Sequence, residues 1–224
     1  MKRLLSIVTC LLLVVAAAHA KYVPNTKWPY VYEDFTKGTV YSADNQKSEG
    51  LLNIHLAGNV LHYVGKDGKV YANDNHRIAR VEIGQDAYIV VDNRLMQVVS
   101  QKGADVLLKL ELADFSQLTQ GSDGAYGSSL NSSASNQLSS LDLGGLNRPE
   151  HGMMLQEKHD GREIPVSTVY YFAIGGQCIE ANKGEVMKHV GESRKAELTR
   201  FIKEKKVKWK NEDSLKTVLE YLSR

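Results

Sequence analysis

The sequence predicts a mainly β fold with a small α appendage at its C-terminus, an α+β chain whose antiparallel meander closes into a sandwich or a partly open barrel. Three observations carry this. Between Leu51 and Phe115, short apolar runs alternate with clusters of Gly, Asn and Asp. A strongly β-forming run, Val166 to Ile174, is followed by Gly175-Gly176. Helical periodicity sets in only after Asn182.

The predicted strands of the meander are Leu51 to Leu56, Val60 to Val64, Lys69 to Tyr71, Ile78 to Ile83, Tyr88 to Val91, Leu95 to Val99 and Val106 to Leu112. Between them stand Ala57-Gly58-Asn59, Asp67-Gly68, Asn73-Asp74-Asn75, Gly84-Gln85-Asp86, Asp92-Asn93 and Lys102-Gly103. These residues enter the tight, positive-φ turns that join antiparallel strands. Alternation puts Leu52, Ile54 and Leu56 on one face and Asn53 and His55 on the other, so His55 is expected at solvent. Likewise Ala79, Val81 and Ile83 oppose Arg80 and Glu82. Ile89-Val90-Val91 and Val106-Leu107-Leu108 are apolar on both sides, the pattern of central strands covered on two faces. Upstream, Gly38 to Ser42 reads as a first short strand and Ala43 to Gly50 as a polar loop.

The N-terminus carries a targeting signal by the same reading. Lys2 and Arg3 precede an apolar run from Leu4 to Ala18, and Ala18-His19-Ala20 offers the small residues a signal peptidase recognises. Residues 1–20 are therefore expected to be removed after Ala20, giving an exported, periplasmic or extracellular chain. Cys178 is then its only cysteine. With no internal disulfide, stability rests on buried apolar surface, and Cys178 is expected to be a small buried hydrophobe. A net charge of +2 gives no reason to expect a nucleic-acid partner.

Residues 21–115 form the meander with an aromatic strap at its start, in which Tyr22, Trp28, Tyr30, Tyr32 and Phe35 are interrupted by Pro24 and Pro29. The strap either packs across the sheet or, through Trp28, Tyr30 and Tyr32 with Tyr126 from the later loop, offers rings on which a sugar or peptide stacks. Residues 116–150 are rich in Ser, Gly and Asn, a composition that buries too little to offset its ordering entropy and reads as a flexible loop. Residues 151–181 end in the hairpin, which is expected to rejoin the sheet because two strands alone are marginal in water. Residues 182–224 form the helical tail: a helix capped by Asn182 and running through Val190, a second from Ser193 to Lys205, and a third capped by Asn211. The second buries Ala196, Leu198, Phe201 and Ile202, and the third Leu215, Val218, Leu219 and Leu222.

The segment from Val169 onward, with its Gly-Gly hairpin, Glu185-Val186-Met187-Lys188, the Arg200 to Lys208 run and Val218 to Leu222, resembles the C-terminal end of uncharacterised exported proteins of Bacteroides-like Gram-negative bacteria. The resemblance covers about the last quarter of the chain. It implies an envelope location and carries over no catalytic residue.

Chemistry-bearing residues are sparse. His55, His62 and His76 sit on neighbouring elements from which a metal site could be assembled, and His151, Glu157, His159 and Asp160 cluster in a loop without the spacing of a helix-borne zinc motif. Cys178 has no Gly-rich elbow or helix N-terminus to activate it. No Gly-x-Ser-x-Gly frame or phosphate-cradling loop is present, and no cofactor is called for. The clearest charge feature is the run Arg194, Lys195, Arg200, Lys203, Lys205, Lys206, Lys208 and Lys210, opposed only by Glu197 and Glu204. It reads as a solvated helix face or as a contact for an anionic membrane surface. The expected function is a non-enzymatic binding module of the envelope, with a protein or glycan partner. The alternatives are a secreted hydrolase with a metal or thiol site, and a structural protein with a basic, lipid-facing helix.

Overall fold

A computed structural model of the protein describes residues 30–113 and 166–224. The expected signal peptide, Trp28, Tyr126, the Ser-rich loop and the His151 to Asp160 cluster lie outside the described residues. Among the described residues, ten strands form one open sheet: β1 (Thr36–Ser42), β2 (Lys47–His55), β3 (Val60–Val64), β4 (Val70–Ala72), β5 (Ile78–Ile83), β6 (Asp86–Val91), β7 (Arg94–Lys102), β8 (Asp105–Ala113), β9 (Val166–Ile174) and β10 (Gln177–Glu180). Their spatial order is β10-β9-β8-β7-β6-β5-β1-β2-β3-β4, and every neighbouring pair is antiparallel. Helices α1 (Lys183–His189), α2 (Gly191–Lys205) and α3 (Glu212–Leu222) follow the last strand. The predicted class, a β fold with a C-terminal helical appendage, is the observed one.

The turns form where the residues able to adopt positive φ stand. Asp92 and Asn93, at φ 48° and 61°, make a two-residue connection between β6 and β7, and Gly175 and Gly176, at 56° and 79°, do the same between β9 and β10. Such turns match the right-handed twist of the strands they join. One predicted turn has a different role. After β4, Asp74 caps a short 3-10 turn at Asn75–Arg77, and the chain returns to lay β5 along the free edge of β1 rather than against β4. The joint is tight: a Cβ at Gly38 would stand 2.3 Å from the carbonyl oxygen of Glu82, so β1 and β5 meet there only because residue 38 has no side chain.

The two arms of the sheet curl toward each other on one face. Ala113 N donates to the carbonyl of Leu56 at 3.0 Å, and Asn59 clamps β7 with both ends of its amide, accepting from Leu95 N at 2.6 Å and donating to Leu95 O at 3.0 Å. Asn75 in turn donates to the carbonyls of Asn59 and Asn93. Inside the curl lies a core of Val40, Leu52, Ile54, Leu61, Ile78, Val81, Ile83, Tyr88 and Leu95. Farther along the same face, Leu107 and Phe172 are covered by the helices through Val186, Leu198, Leu215, Val218 and Leu219. The opposite face buries Met96, Leu108 and Leu110. Adjacent Leu107 and Leu108 are thus both fully buried on opposite sides, as the doubly apolar run of β8 requires.

Four expectations are corrected. Asn53 and His55 are fully buried rather than solvated, because the strap from Tyr30 to Phe35 runs beside the end of β2 and covers its polar face. Ala79 is exposed and Ile78 buried in its place, because pairing steps from Tyr41 opposite Arg80 to Ser42 opposite Ile78 and bulges Ala79 out. Cys178 is exposed, since it lies on the short outermost strand. The polar segment expected from Ala43 to Gly50 is a turn only as far as Gln46. Its second half is the exposed start of β2, where Lys47 and Glu49 pair at 2.8 Å.

Candidate functional site

The strap is built into the fold. Asn53 holds it by reading its backbone: Oδ1 accepts from Tyr32 N at 3.1 Å, and Nδ2 donates to the carbonyls of Tyr32 and Asp34 at 2.9 and 3.2 Å. Tyr30 is only 1% exposed. Its ring packs edge-on against Phe35, His55 and His62, and its hydroxyl lies 3.0 Å from His62 Nδ1. Tyr30 therefore belongs to the core and offers no open ring face to a ligand. Tyr32 is half-buried and its hydroxyl is engaged. It donates to Asp86 Oδ2 at 2.7 Å and lies 2.6 Å from the hydroxyl of Tyr88. With the Tyr32 proton committed to Asp86, Tyr88 donates to Tyr32, and Gln97 completes the chain by donating to Asp86 Oδ1 at 2.8 Å. Burial, first of all, pushes both phenols well above the ordinary tyrosine range. This is a structural latch between the strap and β6.

The histidines divide. The rings of His55 and His62 stack with centroids 5.0 Å apart beneath the strap, whereas His76 is exposed on the 3-10 turn. Among the described residues, no group of three His, Cys, Asp or Glu side chains is placed to hold a metal ion. The Cys178 thiol is raised above its usual value by desolvation and by the nearby Asp92 carboxylate, the reverse of the shift that makes a thiolate nucleophile.

Among the described residues, the aromatic rings that face solvent lie outside the strap. Tyr63 on β3 and Tyr71 on β4 are register partners, and their rings stack with centroids 5.7 Å apart and planes 26° from parallel. They are 36% and 41% exposed and, with Val166, are the exposed large hydrophobics of the described residues. Tyr71 is fixed from below and from the side. A Cβ at Gly65 would come within 2.6 Å of its ring, so glycine lets the ring lie on the backbone. Its hydroxyl donates to Asp67 Oδ2 at 2.7 Å, the main reason the Asp67 carboxyl sits below its ordinary range. Asp67 also accepts from Lys69 N at 3.1 Å. The signal was present: Tyr63 and Tyr71 flank Asp67 symmetrically, so any hairpin centred there sets them opposite each other.

The basic run splits into two groups. Arg194 stands 5.3 Å over the ring of Tyr221, which itself stacks on Phe201, so it serves the packing of α2 on α3, whereas Lys195 pairs with Glu192 on the helix surface; both cations are half-buried. Arg200, Lys203, Lys205, Lys206, Lys208 and Lys210 are all exposed.

No protein-family model, curated protein sequence or solved structure matches this chain. Among the described residues, the surfaces that bear on function are a fixed, exposed aromatic pair with a carboxylate beside it and a basic helix end.

Proposed function

We propose that this protein is an exported, non-enzymatic binding module of the cell envelope that takes a glycan on the Tyr63–Tyr71 pair. The observation that carries this reading is the exposure of two stacked rings, of which Tyr71 is held in place by Gly65 and Asp67. A tyrosine exposes a large apolar face at low cost in side-chain entropy, and here the backbone and a hydrogen bond restrict Tyr71 before any ligand arrives. A sugar ring offers matching C–H faces, and Asp67 supplies an acceptor for hydroxyl groups at the rim. An added peptide strand fits less well, because β4 is only three residues long and offers few backbone groups for pairing.

The test is capture of envelope polysaccharide and envelope protein, in separate arms, by the intact mature chain and by a Tyr63→Ser/Tyr71→Ser variant. Retention of polysaccharide by the intact chain and its loss in a variant with an unchanged far-UV spectrum is the expected result. Equal retention by both proteins refutes the assignment to this pair, and capture of protein alone refutes the glycan.

A further inference from the structure

The cations of the described surface are not evenly treated. Many are neutralised: Lys47 by Glu49, Lys69 by Asp67, Arg80 by Glu82, Lys109 by Glu111, Lys188 by Glu185 and Lys216 by Glu212. From Arg194 to Lys210, eight Lys and Arg face two Glu, a local charge of +6 in a chain of net +2, so the remainder is net −4. Glu197 and Glu204 stand one helical turn on either side of Arg200, the spacing at which helix ion pairs form. Neither is paired with it, and among the described residues no ion pair neutralises Arg200, Lys203, Lys205, Lys206, Lys208 or Lys210. Lys206 closes α2 in the left-handed conformation, at φ 50°, and turns the chain so that Lys208 and Lys210 continue the charged surface past the helix end.

We infer that this end of α2, with the turn that follows it, is a docking surface for anionic phospholipid headgroups, held by charge without insertion into the bilayer. Six clustered cations that form no ion pair, outnumbering the two nearby glutamates, make a field strong enough to concentrate a polyanionic surface. Insertion is not available to α2: its apolar residues Leu198, Phe201 and Ile202 are committed to the core against the sheet, and none of the exposed large hydrophobics of the described residues lies on the helices. Trp209, flanked by Lys208 and Lys210, is likewise packed against that core. The choice of lipid over nucleic acid rests on the export reading, and the test is arranged to separate the two.

Vesicles of phosphatidylglycerol and of phosphatidylcholine are sedimented with the mature chain at low salt and again near 1 M salt, where screening shortens to about 3 Å. Binding to phosphatidylglycerol alone, lost at high salt, is expected. Each juxtamembrane cation contributes about fivefold to such partitioning, so a Lys203→Gln/Lys206→Gln/Lys208→Gln variant should bind roughly a hundredfold more weakly. These side chains are exposed and make no ion pair, so the fold should survive, and an unchanged melting curve confirms it. The Tyr63→Ser/Tyr71→Ser variant should bind vesicles like the natural chain, which keeps this surface distinct from the glycan site. Equal binding to both lipids, unchanged binding by the triple variant, or tighter binding to single-stranded RNA than to vesicles overturns the inference.

Discussion

Replacing Tyr32 by Phe removes one hydroxyl from the middle of the latch that ties the strap to β6 and leaves the ring. Two bonds go with it, one to Asp86 at 2.7 Å and one from Tyr88 at 2.6 Å. Loss of a bond to a charged, partly buried acceptor costs about 1–3 kcal/mol. The Tyr32→Phe variant should therefore be less stable by about that amount at neutral pH, measured by urea unfolding. Its pH dependence gives a sharper check. Both Tyr32 and Tyr88 are raised in the folded state, chiefly by burial, so folding favours their protonated forms. That contribution is complete below the unfolded tyrosine value, about 10, and is lost as pH rises above it toward the folded values. Each such phenol then adds about 1.4 kcal/mol per pH unit to the alkaline loss of stability. Tyr170 and Tyr171 are raised as well, so the quantity to read is the difference between the two proteins, in which their shares cancel. The gap between natural chain and variant should be constant up to about pH 10 and should narrow above it. A gap that stays constant through the alkaline range, or a variant as stable as the natural chain at neutral pH, would falsify the latch.

Two further substitutions probe the sheet itself. Gly38→Ala places a methyl group against the Glu82 carbonyl, at a point where backbone and not a flexible side chain must yield; overpacking of this kind costs about 1–3 kcal/mol, so the thermal midpoint should fall by several degrees. Asn59→Ala removes both amide contacts to Leu95 and forces alanine into positive φ, leaving two buried backbone groups of β7 unsatisfied; denaturant unfolding should show a loss of about 2–4 kcal/mol, and a loss under 1 would mean the curl closes without this clamp.

The strands and turns were legible because their determinants are local. Glycine, asparagine and aspartate stand at 59, 68, 84, 92, 93, 103, 175 and 176, and each of these residues takes positive φ within a connection. The caps Asn182 and Asn211 accept from Glu185 N and Ser214 N, as their places before apolar-periodic segments implied. What stayed hidden depends on which distant surfaces meet. The alternation of β2 marks Asn53 and His55 as the polar side but does not say that the strap lies over them; of the strap's two readings, packing across the sheet and offering a ligand platform, Tyr30 follows the first. A hairpin signal at Asn73 to Asn75 is equally compatible with β5 pairing β4 or leaving it. The choice falls to Asn75, whose buried amide is satisfied only when the turn lies against the carbonyls of Asn59 and Asn93.

The two proposed surfaces stand at opposite ends of the strand order. The tyrosine pair is on β3 and β4, the last two strands on one side, and the helices bearing the basic turn pack against the β8 to β10 side. They share no residue, so substitutions in one should leave affinity at the other unchanged. Together they should act as one bivalent binder wherever the glycan is itself attached to an anionic membrane, since lipid contact turns the second binding step into an intramolecular one. Glycan carried on phosphatidylglycerol vesicles should then be bound more tightly than the same glycan free in solution. High salt should abolish that advantage while leaving affinity for the free glycan intact, because only the lipid contact depends on screened charge.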